Sequence, residues 1–142
     1  MSVCHRQALL EAPVESVWEL IGNPALHPRW WPRVIEVNGD RFEVGDQYVQ
    51  VTRTPTGRAR TTLEIDRLED LHEVRMHCLD TGMWAHWQLT AAQEGTFVDV
   101  EFGMHPTSLG NRVFDRVVGR TYFRRWTEQS LDALGDAANR KA

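Results

Sequence analysis

Apolar and polar side chains alternate with a period of two between Gly45 and Met104, interrupted only by short turn clusters, a pattern that predicts a series of antiparallel strands. Turns at Pro55-Thr56-Gly57, Glu69-Asp70, Thr81-Gly82 and Ala92 to Gly95 set the expected pairings. They place Val51 opposite Thr61 and Val49 opposite Leu63, Ile65 opposite Val74 and Leu63 opposite Met76. They also place Met76 opposite Trp87 and Cys78 opposite Ala85, and finally Leu89, Trp87 and Ala85 opposite Val98, Val100 and Phe102. All four hairpins then keep their apolar side chains on one face, and a one-residue slip in any of them would turn its strand over. The other face carries the rows Glu64, Arg75, Gln88, Asp99 and Thr62, His77, His86, Glu101, which suit a solvated surface.

Ahead of this region, Val3 to Ala12 reads as a strand, and Pro13 opens a helix through Trp18 to Ile21 that Gly22-Asn23-Pro24 ends. Ala25 to Trp31 reads as a second short helical segment, kept brief by Pro28 and Pro32. After the strands comes one long helical stretch, Ser108 to Ala138. Within it Val113, Phe114, Val117 and Val118 cluster on one side, while Phe123, Trp126, Leu134 and Ala137 project about half a turn away on a helical wheel. Gly119 lies between the two sets and predicts a bend. A straight helix whose extra aromatics face a partner subunit is the alternative. This order of elements is that of an α+β fold, because the strands do not alternate with helices, and the last helix is the only long element left to cover the apolar face of the sheet.

Composition changes this picture little. At 142 residues, with 42% hydrophobic and 25% charged side chains, the chain is expected to form a single domain over 1–142 with its own core. The two cysteines, Cys4 and Cys78, form no C-x-x-C pair and are expected as buried thiols. No apolar run approaches the length of a membrane span, so no stable membrane insertion is expected, and the first residues lack the features of a secretory signal, which leads to a cytoplasmic expectation. A net charge of −4 argues against nucleic acid as a partner, although Arg116, Arg120, Arg124 and Arg125 form a local basic stripe. His77, His86 and Glu101 are metal-ligating types, yet strands about 4.8 Å apart put the ends of that row near 10 Å. No metal site is therefore expected. No phosphate-cradling glycine loop or nucleophile elbow is present, and no cofactor is expected.

Ala12-Pro13-Val14-Glu15-Ser16-Val17-Trp18-Glu19-Leu20-Ile21, then Asn23-Pro24 and Trp30-Trp31-Pro32, resembles the opening of the START-like, or SRPBCC, superfamily in its polyketide cyclase/dehydrase and lipid-transport type. The likeness continues through Gly45-Asp46-Gln47-Tyr48, the Gly95-Thr96-Phe97-Val98 hairpin and the last helix. The resemblance implies a helix-grip fold, in which a seven-stranded sheet wraps the C-terminal helix around a cavity for a lipid, sterol, polyketide or other hydrophobic molecule. It also implies that only some members are enzymes.

On the alternation given above, the cavity is expected to be lined by Val49, Val51, Leu63, Ile65, Met76, Trp87, Leu89, Val100, Phe102 and Met104. The competing reading is that these side chains fill a solid core. Gln47, Arg53, Thr61, Cys78 and Tyr122 are the expected inward polar groups, and an inward Arg53 would clamp a carboxylate or polarise a carbonyl. The resemblance places Trp30 or Trp31 at the entrance as a gate. In aromatase/cyclase members, a serine and an arginine face the pocket from the strand matching Arg60 to Leu68; Leu63 and Ile65 stand there instead, which argues against cyclisation. Binding of a hydrophobic small molecule is thus the leading expectation. The second is a polyketide cyclase or dehydratase using Arg53 as oxyanion stabiliser and Tyr48, Tyr122 or His105 as proton donor, with Tyr48 expected to face outward. The third is a homodimer or partner-binding module presenting Trp84, Phe123 or Trp126.

Overall fold

A computed structural model describes residues 2–141; Met1 and Ala142, the ends of the expected domain, lie outside it. The elements run β1 (Val3–Leu10), α1 (Val14–Ile21), a 3-10 turn (Pro24–Leu26), α2 (His27–Trp30), β2 (Val34–Asn38), β3 (Gln47–Thr54), β4 (Gly57–Glu69), β5 (Glu73–Cys78), β6 (Met83–Ala92), β7 (Gly95–Met104) and α3 (Leu109–Phe114). A π-helical segment (Asp115–Gly119) and α4 (Arg120–Lys141) follow. The seven strands form one antiparallel sheet in the order β1-β7-β6-β5-β4-β3-β2, and α4 packs across β1, β7 and α1 on its concave face. This is the α+β helix-grip architecture. Among the described residues no helix is long and apolar enough to cross a membrane.

The β6–β7 hairpin has the expected register, with Leu89, Trp87 and Ala85 opposite Val98, Val100 and Phe102. In the β4–β5 and β5–β6 hairpins the expected pairs are displaced by two residues, which leaves the faces unchanged: Ile65 lies opposite Met76, Leu63 opposite Cys78 and Met76 opposite Ala85. Between β4 and β5 the turn is the three residues 70–72, which displaces the pairs by three, and the bulge between Ile65 and Arg67 takes one position back; between β5 and β6 a four-residue loop, 79–82, accounts for the displacement.

In β3 the shift is by one, and the consequence is larger. Pro55 and Thr56 alone make the turn, Thr54 lies opposite Gly57, and Thr54 Oγ1 donates to the Gly57 carbonyl at 2.9 Å. Tyr48, Gln50 and Thr52 therefore point into the grip and are buried, whereas Val49 and Val51 lie half-buried on the outer face and Arg53 is exposed. The expected orientations of Val49, Val51, Arg53 and Tyr48 are all reversed. β-branched valines suit this outer position, where they cross Asn38 and Glu36 of β2.

The predicted bend at Gly119 takes the form of the π-helical segment that ends there. Ser108 caps α3 by accepting from the Asn111 N–H at 3.2 Å. The inward Asp115 accepts the Ser2 N–H at 3.0 Å, tying the start of the chain to the π-helical segment. A Cβ on Gly119 would sit 2.9 Å from Asp115 Oδ1 and 3.0 Å from Ser2 Oγ, so a side chain there would push against the Asp115–Ser2 contact.

Candidate functional site

The inward side chains change size along the strands, and that gradient decides where the grip is solid and where it is hollow. Toward the α1–α2 end, large rings converge. Trp31 stacks on Trp30 (ring centroids 5.6 Å apart, planes 7° apart) and on Trp126 (5.5 Å, 22°). It also meets Trp87 at 5.8 Å and Phe102 at 5.6 Å. Three indole N–H groups are satisfied: Trp30 donates to the Leu20 carbonyl at 2.9 Å, Trp31 to Ser130 Oγ at 2.8 Å and Trp126 to the Pro32 carbonyl at 2.7 Å. Leu63, Met76, Trp87, Val100 and Phe102 are nearly inaccessible around them, as are Ile65 and Leu89. Among the residues expected to line a cavity, these fill a core instead, and neither Trp30 nor Trp31 stands at an entrance.

Sequence reasoning did not single out His27, which is fully buried with its ring edge-on to Trp31 at 4.9 Å. Its Nε2–H donates to the Ile21 carbonyl at 3.0 Å, and Nδ1 has no partner among the described residues. Burial dominates, with the Ile21 bond opposing it, and pushes the imidazole down to about 4, so the ring is neutral at pH 7.

Toward the opposite end the inward residues become small: Ala59 and Thr61 on β4, Thr52 and Thr54 on β3, Cys78 on β5 and Thr81 in the following loop. Side chains of this size do not reach the helix, and a cleft of about 990 Å³ opens between the hairpin tips and the helical roof. Met83 and Met104 line it from the sheet. Phe114, Val117, Val118, Tyr122 and Phe123 line it from α3, the π-helical segment and the first turn of α4. Gly82 shapes this end as well: its φ is +78°, and a Cβ there would lie 1.6 Å from the His105 carbonyl oxygen.

The polar part of the cleft has one sign. Arg33, Arg53 and Arg125 line it, and no aspartate or glutamate does. Arg33 occupies a left-handed backbone position (φ 75°) and its carbonyl accepts the Arg53 N–H at 2.7 Å. Its guanidinium lies over the Tyr122 ring, 4.6 Å from the centroid, and donates to Gln129 Oε1 at 3.3 Å. Arg53 reaches the cleft only at the rim. Six threonines (52, 54, 56, 61, 81 and 121) add hydroxyls. Of the expected cavity residues, Met104, Arg53, Thr61, Cys78 and Tyr122 thus line the cleft. Gln47 faces outward and donates to Glu64 at 3.2 Å. Arg33 and Arg125 carried no periodic signal, because one sits in a loop and the other on a helix whose local faces depend on the π-helical segment.

The other candidate groups lie elsewhere. Tyr48 is buried outside the cleft with its hydroxyl unpartnered among the described residues, and burial, reinforced by the nearby Cys78, raises its phenol above its ordinary value. His105 stacks on Trp84 at 6.3 Å, and this pair borders a smaller recess lined by Asp66, Arg75 and His77. Trp84, Phe123 and Trp126 are 7%, 1% and 1% exposed, so the aromatic partner surface expected of them does not exist. On the outer face, His77 bonds Asp66 at 2.8 Å and His86 bonds Glu73, leaving Glu101 outside both pairs. Glu64, Asp66 and His77 bring donor atoms within 4.8 Å of one another, but Arg75 is bonded to Asp66 at 2.8 Å and its positive charge opposes a cation there.

A sequence model of the family described as polyketide cyclase/dehydrase and lipid transport matches residues 3–139. Solved structures share the fold at low identity. Protein NE0264 from Nitrosomonas europaea superposes with a TM-score of 0.76 at 16% identity, over 99% of this chain and 96% of that one. Protein BH1534 from Bacillus halodurans gives 0.77 at 15%, over 97% of each chain. The AHSA1-like protein from Aeromonas hydrophila gives 0.72 at 16%, over 98% and 93%. No curated protein matches the chain in sequence.

Proposed function

We propose, from the premise that this chain belongs to the polyketide cyclase/dehydrase and lipid transport family, that its end cleft binds an amphiphile with an apolar body and an anionic head. The observation that carries this reading is the pairing of apolar walls with three lining arginines, Arg33 holding its guanidinium over Tyr122 and Arg53 standing at the rim, and no carboxylate in a cleft of about 990 Å³. That volume is suited to a small organic ligand. Methionine and phenylalanine walls remove apolar surface from water, and arginine forks recognise carboxylate or phosphate oxygens through charge-assisted hydrogen bonds.

Catalysis by proton transfer needs an acid and a base within hydrogen-bond reach of the substrate. Besides the three arginines, the titratable groups lining the cleft are the Cys78 thiol and the Tyr122 phenol, while His105 and Tyr48 lie outside it. Binding is therefore preferred over a cyclase or dehydratase reaction.

Titration calorimetry with three ligands of equal chain length, dodecanoate, dodecanol and dodecylammonium, tests the reading. Dodecanoate is expected to bind tightest and dodecylammonium weakest. Equal affinities would remove the role of the arginines, and no binding of any of the three would remove the amphiphile site.

A further inference from the structure

The segment that roofs the cleft also turns a face outward. Leu109, Val113 and Val117 recur every fourth residue and are 78%, 54% and 73% exposed. Beside them Arg112, Arg116, Arg120 and Arg124 recur at the same interval, all exposed. Residues four apart are neighbours on a helical surface, so an apolar row and a cationic row run side by side in solvent. An ordinary surface helix turns its apolar row to the core. Between residues 108 and 127 the chain carries five arginines and one carboxylate, Asp115, in a protein of net charge −4. Asp115 is only 7% exposed and is turned toward Ser2.

We propose that this face docks on the surface of an anionic lipid bilayer. Leu109, Val113 and Val117 enter the boundary between headgroups and acyl chains, and the flanking guanidiniums meet lipid phosphates. Charge selects this occupant. A second copy docked face to face would bring two sets of arginines together, and a nucleic acid would have no use for the apolar row. Val117 belongs both to this face and to the cleft, so docking sets the mouth of the cleft against the bilayer. The proposal rests on the outer surface and stands apart from whatever the cleft holds.

Flotation of the full chain with vesicles tests it, comparing phosphatidylcholine alone with mixtures containing phosphatidylglycerol. Binding is expected only to the anionic vesicles and is expected to weaken with salt. The Arg112→Gln/Arg116→Gln pair should lower partitioning about fivefold per arginine. The Leu109→Ser/Val113→Ser pair should lower it at least about tenfold. All four side chains lie outside the cleft lining, so neither pair should alter dodecanoate binding. Equal binding to neutral vesicles, no binding to anionic ones, or indifference to the Leu109/Val113 pair would overturn the proposal. So would a dimer in gel filtration that the Leu109→Ser/Val113→Ser pair converts to monomer, because a second copy would then be covering the face.

Discussion

Arg33 holds its guanidinium 4.6 Å from the centre of the Tyr122 ring, joining the connection between α2 and β2 to the first turns of α4 at the cleft. A half-buried cation–π contact of this kind contributes about 1 kcal/mol, no more than a left-handed arginine costs, so stability alone does not account for it. The contact instead fixes a positive charge where the head of an amphiphile would lie.

Arg33→Gln should accordingly weaken dodecanoate about tenfold while leaving dodecanol nearly unchanged, with less than about 1 kcal/mol lost in unfolding free energy. Calorimetry with both ligands, together with urea unfolding, separates the effects. Equal losses for the two ligands would mean that Arg33 serves the fold alone.

His27 should make stability depend on pH. Its folded value is lowered to about 4 from 6.5, so between these values the unfolded chain takes up a proton that the folded chain refuses. Stability from this group is complete above the higher value and falls as the pH falls through the window. Between pH 7 and 5 the natural chain should lose about 2 kcal/mol more than His27→Gln, in which no imidazole titrates. Urea unfolding at the two pH values checks this, and parallel losses would show that His27 is not the group responsible.

Trp31 sits among five other rings, and Trp31→Ala should cost about 3–5 kcal/mol in unfolding free energy, measured by denaturant titration. Because the ring lies outside the cleft, dodecanoate affinity should survive in whatever fraction remains folded. A tenfold loss of affinity with little loss of stability would place Trp31 at the ligand instead.

The register of β3 is tested by a pair of neighbours. Tyr48→Ala should cost about 3 kcal/mol or more, and Val49→Ala less than about 1 kcal/mol. Tyr48→Phe should be neutral or stabilising by up to about 1 kcal/mol, because it removes a buried hydroxyl with no partner among the described residues. The reverse order of the two alanine costs would restore the register read from the sequence.

These residues also show which parts of the molecule the sequence made legible. Trp87, Val100 and Phe102 announced their face because β6 and β7 are long, strongly alternating and joined by a short loop. Gly119 announced the break in the helix for a similar reason: apolar residues change sides around it. Val49 and Val51 misled because a three-residue turn and the two-residue turn at Pro55-Thr56 differ by one position, and the hydrophobic pattern preferred the wrong one. The inward face of β3 is polar where it borders the cleft, so Thr52 and Thr54 violate the apolar-in rule at the candidate site itself. The location of the hollow depended on side-chain size along several strands at once, from Trp87 at one end to Cys78, Thr61 and Ala59 at the other. Periodicity identifies an inward face and says nothing of whether side chains meet across it. Arg33 was beyond reach, since its place follows from a loop conformation.

The most direct test of the account is where an amphiphile sits. Assigned NMR spectra recorded as dodecanoate is added should show the largest shifts in the methyl groups of Thr52, Thr61, Met83 and Met104, with the indole N–H signals of Trp31 and Trp126 little changed. Shifts concentrated on those indoles, or on Val49 and Val51 at the outer face, would contradict a binding site at the open end of the grip.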